Sequence, residues 1–134
     1  MNSGSRSYRP RVLIVDDEST IADTLTEILN KNGYEATAAY DGEDAIEMAL
    51  VKPPHMLISD VMLPGMNGIE LATIMRRIFP ECKVLLFSGH SQTSELLLNL
   101  TNGSGHHFEL LSKPIHPTEL LSRVGRLVEQ TSSG

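Results

Sequence analysis

Four predicted strands of this sequence end in side chains that could carry out chemistry. These side chains are Asp16, Asp17, Asp60, Ser88 and Lys113. In an open parallel sheet, ligands bind outside the carboxyl ends of the strands, so the five side chains are expected to converge at one edge. A single aspartate after a strand is often only a turn former or a helix cap, but agreement among four strand ends makes chance a poor explanation.

Three carboxylates in one crevice repel one another, at about 4 kcal/mol for each pair at ~4 Å with an effective dielectric constant of about 20. A divalent cation would relieve this repulsion, and oxygen ligands without histidine or cysteine favour Mg²⁺. Lys113 suggests an anion as the second guest, because lysine binds phosphate as a point charge. Together with the hydroxyl of Ser88, this set of residues predicts a phosphoryl site.

The phosphoryl group could be cleaved from a substrate or kept on the protein. Aspartate carboxylates can form aspartyl phosphates, and no second helical domain is predicted that would enclose a substrate, which favours acceptance over turnover. The nucleotide motifs G-x-x-x-x-G-K-[ST] and G-x-G-x-x-G are absent from the sequence. The D-x-D motif of phosphohydrolases also fails, because Met62 stands where the second acid belongs.

Apolar runs of strand length alternate with stretches of helical period, and this order predicts repeated βα units around a parallel sheet. The predicted strands are Val12–Val15, Tyr34–Tyr40, His55–Ser59, Lys83–Phe87 and Phe108–Leu111. The predicted helices are Ser19–Asn32, a helix through Ala45 and Leu50 that ends before Pro53, a helix from the Asn67 cap to Ile78, Ser91–Leu100, and a last helix from Pro117 through Val128. Asn67 and Glu70 have the spacing of a capping box. Gly125 inside the last helix predicts a close packing contact.

Length and composition are those of an ordinary soluble domain, with 134 residues, of which 40% are hydrophobic and 21% charged. One domain over residues 11–130 is expected, between disordered tails at 1–10 and 131–134. Cys82 is the single cysteine, so an intramolecular disulfide is excluded, and a role as a small core side chain is expected.

Charge and hydropathy exclude several function classes. The 11 Lys and Arg against 17 Asp and Glu give a net charge of −6, which opposes direct binding of nucleic acid. With 4% aromatic residues and no tryptophan, stacking platforms for single strands are also missing. No apolar run approaches the ~18 to 20 residues of a membrane span, and the N-terminus lacks the apolar core of a signal peptide. We therefore expect no membrane association and a cytoplasmic location.

The motifs around the chemical positions closely resemble those of response regulator receiver domains of two-component signalling. The resemblance runs from about Arg11 to Glu129. The segments that carry it are Val12-Leu13-Ile14-Val15-Asp16-Asp17-Glu18, Ser59-Asp60-Val61-Met62-Leu63-Pro64-Gly65-Met66-Asn67-Gly68, Phe87-Ser88-Gly89-His90 and Ser112-Lys113-Pro114. It implies a doubly wound α/β fold of the CheY-like, flavodoxin-like type, with five parallel strands in the order 2-1-3-4-5 flanked by five helices.

By this resemblance, Asp60 would accept a phosphoryl group from a phosphohistidine on a sensor histidine kinase or a phosphotransfer domain. Asp17 and Asp60 would bind Mg²⁺ directly. Asp16 would bind it mainly through water, and Met62 through its backbone carbonyl. Phosphotransfer and slow self-dephosphorylation would be the only chemistry, so the protein would be a switch rather than an enzyme in the usual sense.

The resemblance also assigns the residues that read the phosphoryl group. Lys113 would pair with Asp60 beforehand and then contact the phosphoryl oxygens, and Ser88 would move in to hydrogen-bond them. The bond between Lys113 and Pro114 is expected to be cis, which only X-Pro bonds adopt at modest cost.

One position departs from the family pattern. Receivers commonly carry Tyr or Phe three residues before the lysine as a rotating switch side chain, but Leu110 stands there. Phe108 lies two residues earlier and, by strand parity, faces the same side. Either Phe108 substitutes from this shifted position or the receiver signals without an aromatic switch, and the second interpretation is preferred.

The expected output is a changed surface for a downstream effector protein or an output domain outside this chain. A homodimer through the face of the Ser91–Leu100 helix, the fifth strand and the last helix is also possible. Two rival functions belong to other classes. One is an interaction module that never carries phosphate, and the other is a small Mg²⁺-dependent phosphohydrolase that would turn over a generic phosphoester.

Overall fold

Five strands and four helices lie within residues 8–89 and 108–132, the part of the chain that the computed structural model describes. The strands are β1 (Arg11–Val15), β2 (Glu35–Ala39), β3 (Met56–Asp60), β4 (Lys83–Ser88) and β5 (Glu109–Ser112). The helices are α1 (Ser19–Asn30), α2 (Gly42–Val51), α3 (Gly68–Ile78) and α4 (Pro117–Ser132).

The strands form one parallel sheet in the order β2-β1-β3-β4-β5, which confirms the predicted topology. The register brings the carboxyl ends of the strands to one edge. Val15 at the end of β1 pairs with Ser59, Asp60 at the end of β3 pairs with Phe87, and Ser88 of β4 pairs with Ser112. The side chains that follow these positions therefore share one edge of the sheet.

Two apolar layers cover the sheet, one on each face. Alternate residues of the central strands point to opposite layers, because successive side chains on a strand face opposite ways. Leu57 of β3 belongs to the layer that α2 and α3 cover, and its neighbour Ile58 belongs to the layer that α1 and α4 cover. Both side chains are fully buried. This double burial explains why the strands appear in the sequence as continuous apolar runs.

The predicted start of α3 is confirmed. The side chain of Asn67 accepts a hydrogen bond from the Glu70 backbone N–H at 2.9 Å, and the Glu70 carboxylate accepts one from the Asn67 N–H at 3.0 Å. This reciprocal capping box satisfies two backbone donors that a helix start otherwise leaves unpaired. It begins α3 directly after the loop that follows β3.

Contacts and helical structure are present at both ends of the described residues. Residues 8–10, assigned to a disordered tail from their polar composition, pack against the domain. Arg9 donates to the carbonyl of Asn30 at 2.6 Å, and the carbonyl of Pro10 accepts from the N–H of Glu35 at 2.9 Å. At the other end, α4 continues through Ser132, two residues past the predicted end of the domain at residue 130.

Two further predictions concern helices. The helix predicted over residues 91–100 lies outside the described residues, and so does part of the predicted homodimer face. The close contact predicted at Gly125 is wrong: a Cβ there would lie 3.9 Å from the Tyr34 hydroxyl, an ordinary van der Waals distance. Over residues 8–89 and 108–132, no helix combines the length and the apolar character that a bilayer crossing requires.

Candidate functional site

Three charged side chains meet at the carboxyl edge of the sheet. Asp60 ends β3, Asp16 follows β1, and Lys113 follows β5. The Lys113 Nζ lies 2.8 Å from Asp60 Oδ2 and 3.9 Å from Asp16 Oδ2. β5 is two strands away from β3, so the long lysine side chain spans the end of β4, where its ammonium lies 5.3 Å from the Phe87 ring centroid. One ammonium group thus serves two carboxylates from neighbouring strands.

The loop after β3 holds the other oxygen of Asp60. The backbone N–H of Met62 donates to Asp60 Oδ1 at 2.9 Å, so both carboxylate oxygens of Asp60 have partners. Met62 is 56% exposed, so its backbone contacts the site while its side chain faces solvent. The predicted phosphoacceptor therefore has a defined orientation before any ligand binds.

Gly68 lets α3 approach the backbone of Asp60. A Cβ at this position would lie 2.1 Å from the Asp60 carbonyl oxygen and 2.9 Å from the Cα of Val61. The N–H of Gly68 donates to the carbonyl of Val61 at 2.9 Å, which ties the helix start to the loop. From the sequence, Gly68 was recognised only as the last residue of a motif that carries the family resemblance. The available signal was a glycine inside the first turn of a capped helix, where its low helix propensity demands another reason.

Asp16 is a buried carboxylate with incomplete hydrogen bonding. Its Oδ1 accepts from the backbone N–H of Glu18 at 2.9 Å, but its Oδ2 accepts no hydrogen bond from any residue that the structure describes. Burial raises the pKa of Asp16 from 3.8 to about 6, with the Glu18 hydrogen bond opposing the rise. Among the neighbouring charges, Asp60 and Asp17 raise this pKa further and Lys113 lowers it.

Lys113 is held in its charged form by the same carboxylates. Burial alone would lower the pKa of its ammonium, but the hydrogen bond and charge of Asp60, together with Asp16 and Glu18, outweigh burial and raise that pKa above its ordinary value. The Lys113 N–H donates to the carbonyl of Ser88 at 2.9 Å. The Lys113–Pro114 peptide bond is cis, the isomer that the resemblance implies.

The remaining predicted residues lie at different distances from this centre. Ser88 is 5% exposed at the end of β4, beside the strand that leads to Lys113. Asp17 is exposed at the rim. Phe108 is half-buried before the start of β5, at the other end of that strand from Lys113, and the Arg76 guanidinium lies 5.3 Å from its ring centroid. Phe108 and Leu110 both pack against the layer of α2 and α3, which confirms the predicted parity.

The donor set fits Mg²⁺ in part. The Oδ2 of Asp16 is a buried oxygen that lies 3.9 Å from the Lys113 ammonium but accepts no hydrogen bond within the described residues, and a further cation would satisfy it. Within residues 8–89 and 108–132, no three acidic, histidine or cysteine side chains converge on one point. Of the predicted ligands, Asp16 and Asp60 are buried and Asp17 is exposed beside them, so a metal here would draw on these carboxylates, the Met62 backbone carbonyl and water. Mg²⁺ commonly binds in this way, because it dehydrates reluctantly.

Comparison with known proteins identifies the class to which this fold and site belong. The chain matches the model of the response regulator receiver domain over residues 12–125. This match covers most of the sheet and of the helices, so the chain belongs to the response regulator receiver family.

Solved structures of similar proteins agree with this assignment. A two component transcriptional regulator AraC from Clostridium phytofermentans is 34% identical, with a TM-score of 0.76 over 91% of this chain and 93% of that chain. A CheY-like response regulator receiver domain protein from Methanospirillum hungatei is 28% identical, with a TM-score of 0.81 over 95% of this chain and 100% of that chain. The signal receiver domain of an HD domain-containing protein from Pseudomonas fluorescens is 26% identical, with a TM-score of 0.85 over 95% of this chain and 100% of that chain.

Proposed function

We propose that this receiver accepts a phosphoryl group on Asp60 in a Mg²⁺-dependent reaction and uses it to switch a partner-binding surface. The observation that carries the proposal is the ammonium of Lys113 placed between Asp60 and a buried, incompletely bonded Asp16. A structural ion pair would need one carboxylate. A second buried carboxylate, whose ionised form is disfavoured, is better explained by a cationic guest.

The donor would be a phosphohistidine on a sensor histidine kinase or a phosphotransfer domain. One oxygen of Asp60 attacks the phosphorus atom as the P–N bond breaks. The electron pair of that bond goes to the imidazole nitrogen, which takes up a proton from the solvent as it leaves. The Met62 N–H and the Lys113 ammonium hold the carboxylate in one orientation, so little rotational freedom is lost on the way to the transition state.

Transfer adds negative charge at Asp60, and two side chains are placed to respond. Lys113 is already charged and 2.8 Å from Asp60 Oδ2, so it can follow the charge onto the phosphoryl oxygens. Ser88, on the adjacent strand, would donate its hydroxyl to the same group. When bound, Mg²⁺ would neutralise the charge that builds up between the phosphoryl oxygens and the carboxylates.

The chemistry would end with the phosphoprotein and its slow self-dephosphorylation, so the protein would work as a switch rather than as a turnover enzyme. Its output would pass to an effector protein or an attached output domain. Relatives named as a transcriptional regulator and as an HD domain-containing protein support the idea that such receivers serve different outputs.

Intact-mass spectrometry after incubation with acetyl phosphate tests the proposal. We expect a single phosphoryl adduct, stable in acid and labile in base, that requires Mg²⁺ and is absent from Asp60→Asn. Asp23→Asn is the matched control, because Asp23 is an exposed carboxylate on α1 and binds the Tyr40 hydroxyl instead of the site. This control should be phosphorylated like the wild type.

Two results would contradict the proposal. An adduct that persists in Asp60→Asn would place the phosphoryl group elsewhere. No adduct on the wild type, either from acetyl phosphate with bound Mg²⁺ or from a phosphorylated histidine kinase, would favour the phosphate-independent interaction module. Steady release of product from a generic phosphoester would instead favour the phosphohydrolase.

A further inference from the structure

A polar side chain stands inside the apolar layer that α2 and α3 cover. Ser59 is fully buried in the central strand β3. Its partners in register are Val15 on β1 and Leu86 on β4, and both belong to that apolar layer. A buried hydroxyl costs free energy unless it is hydrogen-bonded, so its presence at this position requires a reason.

The partner of this hydroxyl is the backbone of the phosphoacceptor. Ser59 Oγ donates to the carbonyl oxygen of Asp60 at 2.9 Å. The pairing of β3 with β1 ends at Ser59, whereas its pairing with β4 continues to Asp60. The Asp60 carbonyl therefore lies where the ladder to β1 has run out, and the serine hydroxyl supplies a donor there.

The peptide unit between Asp60 and Val61 is held at both ends. Its carbonyl accepts from Ser59 Oγ, and its N–H donates to the carbonyl of Phe87 at 3.0 Å. The next N–H along the chain, that of Met62, donates to Asp60 Oδ1. Because Val61 joins this peptide unit to the next one, which contains the Met62 N–H, a rotation of the first unit would displace that N–H and turn the carboxylate away from its present direction.

We infer that Ser59 is a positioning residue for phosphoryl acceptance, because its hydroxyl fixes the Asp60–Val61 peptide unit and through it the direction of the Asp60 carboxylate. The effect on phosphoryl acceptance rests on the proposed function. The hold of the Ser59 hydroxyl on the Asp60–Val61 peptide unit, called the clamp below, does not depend on it. In this role, Ser59 contacts neither the phosphoryl group nor the metal. It acts through the backbone of Asp60.

Variants at Ser59 separate the hydroxyl from the packing. Ser59→Ala removes the hydroxyl. Ser59→Thr and Ser59→Val have nearly the same shape, share the same added bulk and differ in the hydroxyl, so their comparison remains valid even if the added methyl groups disturb the core. Thr26→Ala on α1 is the control, because Thr26 donates a comparable hydroxyl hydrogen bond to the Ala22 carbonyl, away from the site.

Amide hydrogen exchange, followed by NMR, tests the clamp without any phosphodonor. In Ser59→Ala, exchange at Val61 and Met62 is expected to rise about tenfold more than at Leu57 and Ile58, since a net hydrogen bond corresponds to about a tenfold change in a local opening equilibrium. Ser59→Val should exceed Ser59→Thr at these two amides. Thr26→Ala should change none of them selectively. A uniform change along β3 in every Ser59 variant would overturn the inference.

Phosphorylation by acetyl phosphate tests the consequence. The rate at saturating acetyl phosphate should fall about tenfold in Ser59→Ala, with the half-saturating concentration unchanged, and Ser59→Thr should exceed Ser59→Val in rate. Local exchange that rises while this rate stays at the wild-type value would overturn the positioning role. If Ser59→Ala shows the exchange effect but the wild type accepts no phosphoryl group, the result would support the clamp and contradict the proposed function.

Discussion

At the scale of single residues, the site is defined by an imbalance between its two buried carboxylates. Asp60 has partners on both oxygens, whereas Asp16 has a hydrogen bond on one oxygen only. The unpaired oxygen and the raised pKa of Asp16 have the same cause, which is removal from water without full replacement of its hydrogen bonds. Such an arrangement is unfavourable for the protein alone and favourable once a cation binds.

Asp16→Asn is therefore expected to stabilise the metal-free protein at pH 8. The pKa of Asp16 is raised from 3.8 to about 6 in the folded protein, so its contribution to stability is fully present below pH 3.8 and is lost as the pH rises through 6. The variant does not lose stability in this way, because asparagine does not ionise. The gain in the free energy of unfolding should be about 1 to 3 kcal/mol, measured by urea denaturation.

Magnesium provides the counterpart of this measurement. Adding Mg²⁺ at pH 8 should raise the urea midpoint of the wild type and leave that of Asp16→Asn nearly unchanged, because binding to the folded state alone stabilises it. An Asp16→Asn protein that is less stable than the wild type without metal would show that Asp16 is a structural carboxylate. Equal stabilisation of both proteins by Mg²⁺ would place the metal elsewhere.

At the scale of elements, the glycines of α3 and α4 are present for different reasons. In α3, Gly68 is required because the helix begins against the backbone of Asp60, with no room for a Cβ. In α4, Gly125 has space around it and a φ that other residues adopt. Of these two glycines, only Gly68 helps to position the loop that follows β3.

Alanine at each glycine should consequently have opposite effects. Gly125→Ala is expected to raise the free energy of unfolding by about 0.5 to 1 kcal/mol, the ordinary helix preference for alanine. Gly68→Ala is expected to lower it by about 2 kcal/mol or more, because backbone atoms must move. Chemical denaturation of both variants measures the difference. A stable Gly68→Ala protein with unchanged acetyl phosphate reactivity would contradict the close approach of α3.

At the scale of the whole molecule, the two edges of the sheet are organised differently. The carboxyl edge carries the charged site. At the opposite edge, hydrogen bonds of His55 link neighbouring strands to one another. The Nδ1 of His55 accepts a hydrogen bond from the backbone N–H of Arg11. The backbone N–H of His55 donates to the carbonyl of Arg11, and the backbone carbonyl of His55 accepts from the N–H of Lys83. The Tyr8 ring packs edge-on against the imidazole, with centroids 5.9 Å apart. One residue thus connects β1, β3, β4 and the segment that precedes β1.

Stability should fall in mild acid because of His55. Burial and the charge of Arg11 lower its pKa below 6.5, although Glu35 opposes this, so its contribution is present above pH 6.5 and is lost as the pH falls through the folded-state pKa. Protonation also removes the acceptor for the Arg11 N–H. The loss should not exceed about 1.4 kcal/mol per pH unit, the limit for one proton.

His55→Asn isolates this effect, because asparagine keeps a side-chain acceptor and does not titrate. The difference in the free energy of unfolding between wild type and variant, measured from pH 7 to pH 5, cancels the opposite contribution of Asp16. His116→Asn, at an exposed histidine before α4, is the control. A difference that stays constant with pH would show that His55 does not couple protonation to folding.

Much of the fold could be predicted because its signals are local. The apolar run of β1 and the capping box of Asn67 and Glu70 depend on neighbours in the chain, and both lie where the sequence analysis placed them. The polar composition of residues 8–10 gives no sign of their hydrogen bonds to Asn30 and Glu35, because these partners are distant in sequence. Composition reports on a segment by itself and carries no information about such partners.

By itself, the sequence determined which chemical side chains end the strands and, through the order of elements, that Asp16, Asp60 and Lys113 would meet. Only the tertiary structure decided which carboxylate oxygen lacks a hydrogen bond within the described residues, why Gly68 cannot carry a side chain, and that the Ser59 hydroxyl holds the Asp60 backbone. The physical reason is that alternation and capping follow from the chain's own periodicity. Burial, pKa and close approach depend on atoms that the fold brings together from separate strands and helices.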